Sequence, residues 1–428
     1  MTQSPSSRRD FMKQMGVAVA AAGVLPAGRL AMADTARPKF RVGAIGVGGR
    51  GRGAMHNLRA AAGIVGVDVE FVGVADAFQQ KANQVGHEFG VPEAHRFGGF
   101  DSYRKLLEIP QDIVLMAAPP NFRPLHLEAA VAAGCHCFIE KPVAVDVTGC
   151  RRMYAIGEEA TRQGLSIVAG TQRRHQASYL AQAAAVRDGA IGRITGGRLM
   201  WNQGALWVRD RQGNQSNAEY MANNWANFLE VSGDHIVEQH VHNIDIANWF
   251  IGHPPRLAQG FGGRARRRTG NQYDFFSVDL DYGDHCNLHS MCRQINGTYG
   301  RIGEWLTGTE GTVDGGGRIA RFDGTDIVLP SIPVRHNDPY TQEHVALLES
   351  ILEQKGLNET QAVTDATLGA VMGRIAAYTG QIVRWTDLTE NTNSPWYNQT
   401  LTPTAEDFEG ADDVELPEEN TAPIPGRA

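Results

Sequence analysis

Proton-moving side chains cluster in two short stretches of this chain. The first is Glu140-Lys141-Pro142, at the end of an apolar run, and the second is "SGDHIVEQHVHNIDIANWFIG", Ser232 to Gly252. Oxidising a secondary alcohol requires a base within hydrogen-bond reach of the hydroxyl while hydride departs. Lys141 suits that role if its charge is destabilised, as it would be beside an oxidised, positively charged nicotinamide, and Pro142 fixes the local backbone. A helix over 233–250 would place Glu238 and His242 four residues apart on one face, with Asp245 a turn further along. His242 is then an acid/base or a hydroxyl ligand. The plainer alternatives are a surface lysine and a buried structural histidine. His235, Glu238, His240 and His242 raise the possibility of a metal, but the spacing is not H-E-x-x-H and His240 should point away from the Glu238–His242 face. Cys135-His136-Cys137 has no second pair at zinc-site spacing. No metal is expected.

Upstream, "VGAIGVGGRGRG" supplies Gly46-x-Gly48-x-x-Gly51, between an apolar strand and a helical stretch. In a dinucleotide loop the first glycine permits the tight turn, the second lets backbone approach a pyrophosphate, and the third lets helix and strand pack closely. Gly49 and Arg50 complete the loop, and the helix N-terminus would hold the phosphates. Asp76, 25 residues beyond Gly51 at the end of the next strand, fits a ribose 2′-hydroxyl better than a 2′-phosphate. NAD is therefore expected over NADP, although Arg50 and Arg52 are placed to accommodate the extra phosphate. Arg173, Arg174 and His175 follow another strand in "IVAGTQRRH" and can reach a hydroxyl or carboxylate. Trp201, Trp207, Trp225 and Tyr340 offer flat apolar faces for a carbohydrate ring. Core packing or surface pairing explains any one of these equally well.

The elements that must position these residues fall into two textures. From Lys39 to about Leu165 short β runs alternate with helical stretches, which implies a doubly wound parallel sheet with ligands at the carboxyl ends of its strands. Over 166–390 the β runs are longer and separated by turns, as in a mixed or antiparallel sheet. Helices are expected over 233–250, 345–353 and 363–379. Residues 391–428 are rich in Pro, Thr and acids, and are expected to form a loosely packed extension.

The chain has 428 residues, with 42% hydrophobic and 20% charged residues, as in a globular enzyme. A net charge of −7 argues against nucleic acid. The basic run "GGRARRR", Gly262 to Arg268, reads as a solvated loop or subunit contact before it reads as a polyanion site. Five irregularly spaced cysteines make no disulfide framework. At the start, Ser7-Arg8-Arg9-Asp10-Phe11-Met12-Lys13 resembles a twin-arginine export signal. The apolar run Met15–Leu25 is too short to span a bilayer, and Ala31-Met32-Ala33 offers a cleavage site. Residues 1–33 are thus expected to be removed, leaving an exported, periplasmic protein with no membrane span. Folding before export implies a cofactor loaded in the cytoplasm.

"HLEAAVAAGCHCFIEKPVAVD", together with the glycine loop, Pro119-Pro120-Asn121 and the histidine-rich stretch, resembles the glucose–fructose oxidoreductase, inositol dehydrogenase and rhizopine-catabolism family over Lys39 to Leu388. That resemblance implies an NAD(P)-binding Rossmann domain followed by an open-sheet α/β domain, with substrate between them over the nicotinamide. It implies reversible hydride transfer at a sugar or cyclitol hydroxyl, and transient oxidation within a glycosidase in some relatives. A catalytically silent sugar-binding protein is a third reading. Lys141, His242 and Glu238 become catalytic candidates; Gly46, Gly48, Gly49, Arg50, Gly51, Asp76, Pro119, Asn121, Glu140 and Lys141 are cofactor-binding candidates. Arg173, His175, Trp225, Asp245 and Tyr340 are substrate-binding candidates. The family usually has aspartate four residues before its histidine, where this chain has Glu238. A homo-oligomer, dimer or tetramer, acting on a carbohydrate is expected.

Overall fold

Strands buried on both faces read as unbroken apolar runs, and Ile113–Met116 is buried at every position. In the computed structural model, which describes residues 37–410, 414–422 and 424–425, such runs build a parallel sheet. The expected signal segment and its cleavage point lie outside the described residues. The strands are β1 (Lys39–Ile45), β2 (Asp68–Asp76), β3 (Arg96–Gly98), β4 (Ile113–Met116), β5 (His136–Ile139) and β6 (Ile167–Ala169), in the order β3-β2-β1-β4-β5-β6. The order reverses between β1 and β4, where a doubly wound sheet opens a crevice for ligands. One boundary differs from the expectation at 165: β6 pairs in parallel with β5 and so extends this sheet past it.

The second sheet contains, among the described residues, β7 (Ile194–Gln203), β8 (Leu257–Gly263), β9 (Phe275–Gly283), β10 (Cys286–Gln294), β11 (Arg301–Gly308), β12 (Gly311–Asp314), β13 (Ile319–Arg321) and β14 (Val383–Arg384). Its order is β13-β12-β11-β7-β10-β9-β8-β14, with β7 and β10 parallel and the other pairs antiparallel. Burial alternates along β9 and β10, so one face meets the core and the other does not. The covering helices are Val241–Ile251 and Thr360–Thr379; the latter is buried nearly all round. Buried Arg374 on it donates to the carbonyls of Val145 (2.6 Å) and Gly233 (3.0 Å), fixing the approach to the histidine-rich stretch.

That stretch corrects the expected single helix over 233–250. It forms two helices, His235–Glu238 and Val241–Ile251, broken at Gln239 and His240. Asp234 sits at φ 73° and caps the first helix, its carboxylate accepting from His235 N (2.6 Å), Tyr273 N (3.0 Å) and the Tyr378 hydroxyl (2.5 Å). His240 is drawn into the core by Ser290, 2.7 Å away. The other two helices start earlier than expected, at Pro339 and Thr360, the first capped by the Asp338 carboxylate at Thr341 N (3.1 Å).

The tail is also corrected. Its described part packs: Leu401 N donates to Asp146 (2.8 Å), and the short helix Ala405–Gly410 buries Phe408 against Phe100 and Phe122, with ring centroids 5.3 and 5.1 Å away. Isolated anchors such as these carry no periodicity to read. Because Phe122 also borders the crevice, Phe408→Ala should lower stability by about 3–5 kcal/mol and weaken dinucleotide binding. Urea unfolding and calorimetric titration with NAD check this; unchanged stability would show that the tail is dispensable.

Candidate active site

The glycine loop ends β1 and starts the helix Gly49–Val65, whose first N–H groups have no partners within the helix and face the crevice. Gly46 has φ +75°, and a Cβ there would run into the Ala118 backbone. A Cβ on Gly51 would strike the Gly46 carbonyl, whereas Cβ atoms on Gly48 and Gly49 would meet nothing within 4 Å. The loop is thus closed on its protein side and open on the other, as a phosphate cradle requires. Asp76 accepts from Val47 N and Phe78 N, each at 3.0 Å. Burial raises its pKa, partly opposed by nearby Lys81 and by those two bonds.

A cleft of about 630 Å³ runs along this edge, lined among others by Gly46, Gly48, Asp76, Lys81, Pro119 and Trp225. Asn121 sits just beyond Pro119 with both side-chain polar atoms buried and without a hydrogen-bond partner. Such orphaned groups call for a ligand. An open cradle, a carboxylate at the ribose position and an orphaned amide together fit NAD. The loop arginines are engaged elsewhere: Arg52 pairs with Glu88 (2.7 Å), and Arg50 reaches between Glu140 and Glu343, the latter at 2.9 Å. Neither is free for a 2′-phosphate in this arrangement. Arg50 and Glu140 therefore shape the loop through their own ion pair, and their guanidinium and carboxylate face each other.

Lys141 follows β5, its peptide bond to Pro142 in the cis form. Its Nζ donates to the Glu238 carbonyl (2.7 Å) and carboxylate (3.1 Å). Glu238 Oε2 is buried with no partner. His242 opens the second helix and stacks on Trp201, centroids 5.6 Å apart at 20°. Burial holds His242 well below the usual histidine range, with the charges of Lys141 and Arg173 acting in the same direction. Its ring nitrogens have no hydrogen-bond partner among the described residues. The helix break thus leaves Glu238 in contact with Lys141 and His242 within reach of the Lys141 charge, on two short helices and without the continuous face the spacing suggested.

The other candidates have protein partners of their own. Asp245 is buried in an ion pair with Arg174 (2.8 Å), and Arg173 pairs with buried Glu304, which also accepts from Asn243 and from Tyr179 (3.1 Å). His175 faces Glu359 at 3.2 Å. Tyr340 lies under the Arg50 guanidinium, 4.9 Å from its carbon, and Trp225 borders the dinucleotide cleft. Asp245, His175 and Tyr340 are thus engaged in pairs with protein partners, while Arg173 also lies over the Trp201 ring, 5.6 Å from its centroid, on the His242 side. His235 is held by Asp234 (2.9 Å). Among the described residues no group of three or more His, Cys, Asp or Glu is placed to hold a metal, and no helix is long and apolar enough to cross a membrane. Sequence reasoning missed Lys81 and Glu304; the only signal for Lys81 was its place one turn into the helix after Asp76.

Residues 40–167 match a family model described as an oxidoreductase family with an NAD-binding Rossmann fold, and residues 179–314 match the GFO/IDH/MocA C-terminal domain. Among curated proteins, a D-apiose dehydrogenase of Paraburkholderia graminis is 30% identical over 221 residues, 51% of this chain and 52% of that protein. An inositol 2-dehydrogenase of Paracoccus denitrificans is 26% identical over 212 residues, 50% of this chain and 54% of that one. A glycosyl hydrolase family 109 protein of Streptomyces coelicolor is 29% identical over 164 residues, 38% and 34%. The chain thus spans about half the length, or less, of these relatives. The fold matches that of levoglucosan dehydrogenase in complex with NADH and levoglucosan (TM-score 0.63, 17% identity, 81% of this chain and 99% of that one). It also matches aldose-aldose oxidoreductase from Caulobacter crescentus (TM-score 0.61, 18% identity, 81% and 99%).

Two outcomes follow from the geometry. Gly46→Ala should abolish NAD binding by calorimetry, since strain and backbone collision coincide; retained affinity would show that the loop tolerates the methyl group. Second, His126 and His240 are fully buried and held down to about 3 by burial, with the Arg123 charge adding to it for His126 and the His235 charge for His240. As pH falls below the ordinary value near 6.5, the unfolded chain takes up protons that the folded chain refuses. Stability from these groups is complete above pH 6.5 and drains away towards pH 3, by about 1.4 kcal/mol per pH unit for each histidine. Urea midpoints measured from pH 7 to 4 should fall accordingly, and a flat profile would contradict this.

Proposed function

We propose that this chain, which belongs to the GFO/IDH/MocA oxidoreductase family, moves hydride between a tightly held NAD and a secondary hydroxyl of a sugar or cyclitol. The observation that carries the reading is the meeting of Lys141, Glu238 and His242 next to the glycine loop. NAD, when bound, accepts or returns the hydride. The chain's own residues handle the proton. Burial and the neighbouring cations keep His242 neutral, so one ring nitrogen is unprotonated and can accept from the hydroxyl, which gives it the place of the base. Lys141 is tied to Glu238, so the isolated, destabilised lysine first expected gives way to a donor that orients the same hydroxyl. Glu238 positions Lys141 through two bonds, and Trp201 holds the imidazole plane.

A panel of hexoses, inositols and glycosides, added while nicotinamide absorbance is followed, tests this directly; no absorbance change with any of them would count against hydride transfer. Lys141→Met should keep NAD affinity and lose about 10–100-fold in turnover, the loss of one charge-assisted hydrogen bond to the hydroxyl. Normal turnover in that variant would remove Lys141 from the site.

The twin-arginine segment supports a reading of export in the folded, cofactor-loaded state to the periplasm. Protein recovered from the exported fraction should then carry nearly stoichiometric NAD(H) after dialysis. Recovery of empty, weakly binding protein would break that link.

A second reading, redox-neutral cleavage of a glycoside, is favoured by the orphaned Oε2 of Glu238, an acceptor available for a carbon-bound proton. His235 and His240, the other candidates for that role, are both engaged internally. Turnover in heavy water without an electron acceptor separates the readings: sustained aglycone release with deuterium at carbon favours cleavage.

A further inference from the structure

The basic run Gly262–Arg268 is not absorbed by the function above. It connects β8 to β9, and its conformation is built from within: buried Asp274 accepts from the backbone N–H groups of Ala265, Arg266 and Arg267, the last at 3.0 Å. Arg267 is set into the wall, its guanidinium donating to Asn227 (2.9 Å) and Gln294 (2.5 Å) with Asp274 3.7 Å away. Arg266 and Arg268 are exposed, and neither side chain has a partner among the described residues. All three arginines line one open cavity, bordered on its other side by Ala205, Leu206 and Val208. No carboxylate lines it among the described residues.

The cavity wall is joined to the candidate active site by hydrogen bonds. Gln294 in its wall donates to Gln239 (3.4 Å), the residue directly after Glu238, at the helix break. Asn227 in its wall lies two residues beyond Trp225 of the dinucleotide cleft and donates to the Trp207 carbonyl (3.2 Å). The cavity wall is thus tied to the helix break that follows Glu238.

We propose that the pocket of Arg266, Arg267 and Arg268 is a subsite for an oxyanion carried on the sugar ring next to the one that reacts. Guanidinium groups bind carboxylate and sulfate through paired, charge-assisted hydrogen bonds, which a neutral hydroxyl does not match. One fixed arginine and two unpaired ones give a seat in which only the outer pair must be ordered on binding. The subsite makes the substrate an acidic saccharide, a uronate or a sulfate ester, and in that it rests on the sugar oxidoreductase reading.

The test uses the full, NAD-loaded protein and calorimetry with three disaccharides: one bearing a uronate, one a sulfate ester, and one neutral. Tighter binding of the uronate, by about tenfold or more over the neutral sugar, is expected, and a preference for the sulfate ester would identify that source instead. In the double variant R266A/R268A that preference should disappear, while NAD affinity, the control for folding, stays at the wild-type value. R266K/R268K should restore only part of it, because an ammonium group cannot bind in two parallel bonds. Equal binding of charged and neutral sugars by the wild-type chain, or a preference that survives R266A/R268A, would overturn the subsite. Binding requires no turnover, so a preference without any hydride transfer would leave the subsite standing and remove the oxidoreductase reading instead.

Discussion

The ion pair between Arg50 and Glu140 fixes the site's geometry. Arg50 belongs to the helix that begins the dinucleotide loop, and Glu140 directly precedes Lys141, so the cradle and the catalytic lysine are tied at one point. The tie is enclosed. Glu343 takes the other side of the guanidinium, and Glu343's own pKa is pushed well up by burial and by the Glu140 carboxylate. A Cβ on Gly170 would fall within 2.6 Å of Glu140 Oε2, so the absence of a side chain there makes room for the carboxylate. Arg123, buried beneath, donates to the Glu140 carbonyl (3.0 Å) and the Ala118 carbonyl (2.6 Å), joining the ends of β4 and β5. Losing Arg50 would leave the two buried carboxylates of Glu140 and Glu343 without their shared cation, whereas losing Glu140 would leave Arg50 paired with Glu343. Either loss would also release Lys141 from its register with the loop.

A second fixed point sets where Glu238 begins. Burial raises the pKa of Asp234, but the hydrogen bond and charge of His235, with Arg267 and the Tyr378 hydroxyl, outweigh it and hold the carboxyl below its usual range. The charged form therefore persists in the core and caps the short helix that carries Glu238. His240 anchors the following break at Ser290. Lys141 and His242 can meet because the chain is pinned on both sides of the break.

The parts of this arrangement legible in the sequence are those written locally. Apolar runs gave the parallel strands, two-residue alternation gave the second sheet, and the glycine spacing gave the loop, because each depends on neighbours a few residues away. What stayed hidden depends on partners far along the chain. Arg173 meets Glu304 131 residues later, and Arg174 meets Asp245 71 residues later. A sequence shows such arginines as available donors and conceals the carboxylates that occupy them. Trp225 was read as a sugar platform for the same reason: nothing nearby in the sequence says that the second half of the chain turns back to border the dinucleotide cleft. The helix break was hidden too, since the cap at Asp234 requires Tyr273 and Tyr378.

That return of the second half has a physical consequence for how the two sites are joined. The segment 217–227 borders the dinucleotide cleft through Ala222 and Trp225 and the arginine cavity through Asn227. A dinucleotide seated against Trp225 restricts a segment whose next residues fix Arg267. Asn227 is buried and donates to Asn224 Oδ1 (2.9 Å) while its own Oδ1 accepts from Arg267 (2.9 Å), so the Arg267 wall is continuous with the residues bordering the dinucleotide cleft. A substitution at Trp225 therefore reaches both the dinucleotide cleft and, two residues on, the wall that holds Arg267.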